Sequence, residues 1–200
     1  GEAVLVHVNV SQADDTQAMV AQAVEAFGRL DCAFNNAGIS GGTDRHLTAD
    51  YLEEDWDRVM GINLKGVWLC MKAEIPQMIK QGGGAIVNTV SIAGLVGIRG
   101  TAAYVAAKHG VAGLTRAAAL EYASQGIRIN AVCPGYIQTP LVQGIFDRVD
   151  GYQEEVAARH PLGRLGQPTE IAEAVLWLSS DAASFMTGHN MAVDGGYTAQ

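Results

Sequence analysis

Cysteine is scarce: Cys32, Cys70 and Cys133 are the only three in 200 residues. Three scattered thiols suit a reducing compartment better than a disulfide framework or a zinc site. Basic residues are few as well. Lys and Arg total 13 against 21 Asp and Glu, a formal net charge of −8, and no basic run appears anywhere. That balance argues against nucleic acid and anionic lipid as partners. No apolar run approaches the roughly 20 residues of a membrane span. The N-terminal residues also lack the basic-then-apolar pattern of a secretion signal. A soluble, cytoplasmic protein is expected, with no metal site. A chain of this length forms one domain and buries roughly 70% of its unfolded surface.

What is present is alternation. "AVLVHVNV" (3–10) is rich in β-branched residues and reads as a strand. Ser11 follows as a helix N-cap, with acidic residues in the first turn of a helix running to about Phe27, where Gly28 stops it. "LDCAFNNAG" (30–38) is a second strand, and a long helical pattern runs from about Ala49 to Lys80. "GAIVNTVS" (84–91) is a third strand, 102–124 a helix and "IRINAVCPG" (127–135) a fourth strand. A helix over 168–179 leads to a last short strand, "NMAVDGG" (190–196). Strands apolar on both faces that alternate with helices predict a doubly wound, Rossmann-like α/β fold with a parallel sheet.

Ligands of such sheets bind beyond the carboxyl ends of the strands. Asn9, Asn35 to Gly38, Ser91, and Pro134 with Gly135 all fall there. Gly82 to Gly84 precede a strand instead of following one, so they are a turn and not a phosphate cradle. The helix over 102–124 is Ala- and Gly-rich on nearly every side. One face can cover the sheet, and a second subunit best explains the other.

That helix opens with "YVAAK" (104–108), which sets Tyr104 and Lys108 four apart on one face. A phenol titrates near pH 10. A cation about 4 Å away is worth roughly 4 kcal/mol at an effective dielectric near 20, or about three pKa units. Lys108 is thus expected to bring Tyr104 into the range of a general acid/base. Ser91, at the end of the preceding strand, can converge on the same substrate oxygen. Asn63 is a polar residue within the apolar pattern of the long helix, where a local backbone group can satisfy its amide. His160, beside Pro161, reads as structural and not catalytic.

These residues resemble the short-chain dehydrogenase/reductase family, through "NNAG" (35–38), Asn63, Ser91, "YVAAK" (104–108), "PGYIQT" (134–139) and the closing "VDGG" (193–196). The resemblance covers essentially the whole chain. It implies an NAD(P)-dependent oxidoreductase interconverting a secondary alcohol and a ketone. Tyr104 would be the proton donor or acceptor, and Ser91 would orient the substrate oxygen. Lys108 would lower the phenol pKa and bond the nicotinamide ribose, and Asn63 would hold a proton-relay water. Asn9 and Val10 would contact the adenine side, and Asn35, Ala37 and Gly38 would wall the adenosine ribose. Pro134, Gly135, Ile137 and Thr139 would pass the nicotinamide. Residues 140–166 match the family's substrate lid, and Leu141, Val142, Ile145 and Phe146 offer an apolar wall suited to a ring alcohol, small ketone or acyl chain.

The chain also departs from the family. Nothing in it matches the Gly-rich turn that receives the cofactor pyrophosphate, and residue 1 falls just before the family's third strand. An N-terminally truncated domain is therefore expected, without the first two strands and helices. In the order 3-2-1-4-5-6 this leaves a two-strand gap between 3–10 and 30–35. The residue that chooses between NAD and NADP falls in that gap, and NAD is favoured on general similarity alone. The resemblance implies a homodimer or homotetramer through helices 50–80 and 102–124. An inactive fragment or an assembly subunit is the alternative function. A sugar-nucleotide epimerase or dehydratase shares the Tyr/Lys pair but usually needs a larger C-terminal domain.

Overall fold

The computed structural model describes residues 1–41, 46–147 and 151–200, and of Ile145 the backbone alone. Four parallel strands form one sheet: β1 (Cys32–Asn35), β2 (Gly84–Thr89), β3 (Ile127–Pro134) and β4 (Asn190–Val193). They lie side by side in chain order, with Asn35 opposite Asn88, Asn88 opposite Ala131 and Ala131 opposite Asn190. The expected pairing of 30–35 with 84–91 is present, and so is the doubly wound α/β architecture.

Helices cover both faces. On one lie α3 (Gly66–Lys80) and α4 (Ala102–Tyr122), whose Met71, Ile75, Met78, Ala118 and Ala119 pack on Ile86, Ile127 and Ile129. On the other lies α7 (Pro168–Ser179), whose Leu178 packs on Val87 and Val132. Successive strand residues point to opposite faces, which is why Ile86 and Val87 serve different helices. Pro168 opens α7 at a position where its missing N–H costs nothing, and Glu170 reaches back to the Gln167 N–H at 2.7 Å. At the far end of α7, the Arg128 guanidinium donates from β3 to the carbonyls of Leu178, Ser180 and Ala183. These are carbonyls at and just beyond the helix terminus, where intrahelical donors run out.

Two elements differ from the sequence reading. Residues 3–10 are not a strand: they pair with nothing in the sheet, and Leu5 is 97% exposed. A β-rich composition becomes a strand only where another strand offers its edge, and no described strand lies beside this segment. The helix α1 (Ala13–Phe27) follows, with Gln12 and not Ser11 at the N-cap position, where its side chain makes no capping bond. The Asn9 side chain takes the local role, accepting from the Ser11 N–H at 3.1 Å and the Ser11 hydroxyl at 2.8 Å. Gly28 ends α1 at φ 80°, as expected.

The long helix expected over 49–80 is divided. A short turn at 48–50 precedes α2 (Glu53–Met60), and a π-turn over 61–65 joins α2 to α3, with the Gly66 N–H donating to the Gly61 carbonyl. Asn63 lies inside that π-turn and is fully buried.

Candidate functional site

Just beyond the carboxyl ends of β1, β2 and β3 lies a cleft of about 430 Å³. Gly38, Ser91, Tyr104, Lys108, Pro134, Gly135, Ile137 and Thr139 all line it. Eight residues singled out from the sequence are thus brought to one place by strand ends and one helix start.

Each is held by a local device. Ser91 follows β2 and caps a short 3-10 turn (Ile92–Gly94), its hydroxyl accepting from the Ala93 N–H at 3.1 Å. Tyr104 sits in the first turn of α4, which packs closely on that 3-10 turn, so Ser91 and the phenol interact. Lys108, one turn further, is 3% exposed, and its ammonium donates to the Thr89 carbonyl at 2.7 Å. It lies 5.6 Å from the centre of the Tyr104 ring. The Thr89 hydroxyl in turn donates to the Asn36 amide oxygen at 3.0 Å. Asn36, placed at a strand end by the sequence but given no role there, lines the cleft too.

Asn63 does not face the cleft with its amide. Its Oδ1 accepts from the Ile39 N–H at 2.8 Å, and its Nδ2 donates to the Ile39 carbonyl at 2.8 Å. The side chain thereby ties the loop after β1 to the π-turn. Gly38 makes that approach possible, because a Cβ there would come within 3.1 Å of Asn63 Oδ1. Thr139 caps α5 (Pro140–Phe146), and Ile137 bridges to Gly166.

The remaining assignments separate. Asn35 lies in the sheet, donating to Glu74 at 3.1 Å and to Asn88 at 3.0 Å. Ala37 and Val10 meet across an adjoining cavity of about 320 Å³, while Asn9 lines neither space. Within residues 140–166, Leu141 and Val142 face the cleft, but Phe146 is buried against Tyr152, Val156 and Leu165 and does not line it. The side chain of Ile145 and residues 148–150 lie outside the described residues.

The electrostatics differ from expectation. Burial raises the Tyr104 phenol above its ordinary value, and the Ser91 hydroxyl is the group that draws it back. The depression expected from Lys108 is absent, since burial also pulls that ammonium down, to about 8, with Cys133 opposing. Neither group is therefore tuned for chemistry by the other alone.

The cleft fits the nicotinamide–ribose half of a dinucleotide. Thr89, Ser91, Tyr104 and Lys108 line it with hydroxyls, a carbonyl and an ammonium. Among the described residues no Gly-rich strand-to-helix turn adds a pyrophosphate cradle, and no cluster of metal-ligating side chains occurs.

A family model described as Enoyl-(Acyl carrier protein) reductase matches residues 1–198. Cyclohexanol dehydrogenase of Acinetobacter sp. (strain SE19) is 50% identical over 200 residues, covering 100% of this chain and 76% of that protein. Among solved structures, levodione reductase superposes with a TM-score of 0.91 at 41% identity, over 96% of this chain and 76% of its own. ElxO with NADP bound gives 0.90 at 36% identity, over 96% and 77%. These likenesses agree with the NAD(P)-dependent alcohol–ketone oxidoreductase expected from the sequence. The chain belongs to the short-chain dehydrogenase/reductase family.

Proposed function

We propose that Tyr104 is the general acid/base of a secondary-alcohol dehydrogenase, with Ser91 and Lys108 as its partners. The observation that carries this reading is the convergence of the three side chains on one cleft at the ends of β2 and β3. Nicotinamide, when bound, accepts or donates the hydride. In the oxidation direction Tyr104 takes the hydroxyl proton while Ser91 holds the same oxygen by hydrogen bonding. Because burial holds the phenol up, its ionised form needs added positive charge, which the oxidised cofactor and a protonated Lys108 supply together. Lys108 and Thr139 are suited to the ribose and nicotinamide ends, and Ile137 offers its backbone.

Val10, Ala37 and Asn35 are assigned to the adenosine side, with Asn9 at its margin. Asn63 serves the relay by fixing Ile39 and the π-turn. Residues 140–166 are the lid, and the apolar Leu141 and Val142 favour a ring alcohol or small ketone. NAD is the assigned cofactor form, with NADP the alternative. The three free cysteines suit a cytoplasmic setting. The outer face of α4 supports a homo-oligomer.

The chain covers about three quarters of its relatives' length, and β1 has one edge unpaired among the described strands. Both observations support an N-terminally truncated domain, in which a further parallel strand would pair with β1. The same edge favours a second reading, a binding subunit without turnover. Turnover by the parent chain separates the two, and substitution of Tyr104 tests which residue carries it. Tyr104→Phe is expected to abolish turnover while leaving NADH affinity within about threefold, because it removes only the proton-carrying hydroxyl, and Lys108→Ala to damage both, because it removes a cation. Turnover that persists in Tyr104→Phe would refute the assignment.

A further inference from the structure

His160 is one of the most buried polar residues of the chain, at 2% exposure, and both of its ring nitrogens are occupied. Nδ1 lies 2.8 Å from the Val156 carbonyl, which can only accept, so Nδ1 carries the proton. Nε2 lies 3.3 Å from the Tyr136 N–H, which can only donate, so Nε2 is the acceptor. The ring is the neutral Nδ1–H tautomer, spanning α6 (Tyr152–Ala158) and the strand of chain leaving β3.

That strand of chain, 134–139, is one wall of the cleft. Its Tyr136 peptide is gripped on both sides: His160 takes the N–H, and the carbonyl accepts from the Gly166 N–H at 3.0 Å. The Gln138 N–H returns to the Gly166 carbonyl at 2.9 Å. Both grips come from one short segment, 160–166, which turns tightly through a Gly163 N–H to His160 carbonyl bond of 2.7 Å. The contact is close enough to dictate a glycine. A Cβ on Gly135 would lie 2.9 Å from His160 Nε2 and 3.0 Å from Asp194 Cα. The rings of Tyr136 and Tyr197 pack edge-on or tilted against the imidazole at 5.9 and 5.2 Å, and Asp194 is the nearby carboxylate.

We propose that His160 is a positioning residue for the cofactor: through Tyr136 it sets the backbone of Gly135 to Ile137 against the nicotinamide side of the cleft. This rests on the functional reading above. It assigns His160 no proton transfer, because neither nitrogen is free to make one.

Two polar substitutions separate the brace from simple filling. In His160→Gln the amide oxygen reaches the place of Nε2 and can take the Tyr136 N–H. In His160→Asn the shorter amide replaces Nδ1 alone. Amide exchange at Tyr136, measured on the chain without cofactor, is expected to speed up roughly tenfold in His160→Asn, the worth of one lost acceptor, and to stay within about threefold in His160→Gln. NADH affinity, read from its fluorescence, is expected to follow the same order. Equal exchange in the two variants would overturn the proposal. So would contrasting exchange with equal NADH affinity, which would reduce the brace to packing. If the unsubstituted chain fails to bind NADH, the functional reading falls and the positioning role with it. If that chain binds and the variants do not differ, the proposal falls alone.

Discussion

Glu74 places a carboxyl where water scarcely reaches it, at 2% exposure on the face of α3 that meets the sheet. Among the described residues its hydrogen-bond partner is the Asn35 amide, which also donates to Asn88, and Asn88 passes the chain on to the Thr115 hydroxyl at 3.1 Å. Burial pushes the carboxyl up to about 7, against the pull of Asn35. A group raised on folding binds its proton more tightly in the native state. Stability from it is complete below about pH 4.5 and is lost as pH rises through 7. A shift of that size corresponds to ~3 kcal/mol over the window. Denaturant titrations from pH 4.5 to 8 should show the decline in the parent chain, and Glu74→Gln should flatten it and be the more stable protein at pH 8. A flat profile in the parent would mean that the carboxyl is solvated. At this scale the sequence was a partial guide. Tyr104, Lys108 and Ser91 were legible because their spacing encodes a helix face and a strand end. The bond from Asn35 to Asn88 was not legible, because the two lie 53 positions apart and no local pattern announces such a pairing.

Among the elements, the 3-10 turn after β2 and the helix α4 approach more closely than side chains allow. A Cβ on Gly94 would lie 2.8 Å from the Lys108 carbonyl and collide with a Val90 methyl. Gly94→Ala should therefore cost ~1–3 kcal/mol, as overpacking does. Because it would pry Ser91 from Tyr104, kcat/KM should fall further than the stability loss explains. Denaturant midpoint and kinetics on one preparation would test both, and an unchanged midpoint would show that the two elements slide apart freely. The helices and strands from residue 30 onward were readable because periodicity and glycine stops are local signals. Several features were not, the short helices α5 and α6 among them. The π-turn at Asn63 keeps a helical period on both sides, so only the buried tie to Ile39 exposes it. Residues 3–10 carry strand composition without a strand's partner, and composition cannot report the edge it would need.

For the molecule as a whole, the outward stripe of α4 sets the expectation. Ala102, Val105, Ala106 and His109 line one shallow groove on the side away from the sheet. The small side chains of Ala102 and Ala106 let a second helix approach. Ala106→Arg should convert an oligomer to a monomer in light scattering, with the circular dichroism unchanged; an unaltered mass would exclude this face as the interface. Fold class was legible at this scale from alternation alone, whereas the lateral order of the strands required coordinates. That order has a consequence for biosynthesis. Every described strand pairs only with the one before and the one after it in the chain, about fifty residues apart. At ribosomal speeds of roughly 5–20 residues per second, each new strand emerges seconds after its template. The sheet can grow in the order of translation, β2 docking on β1, β3 on β2 and β4 on β3.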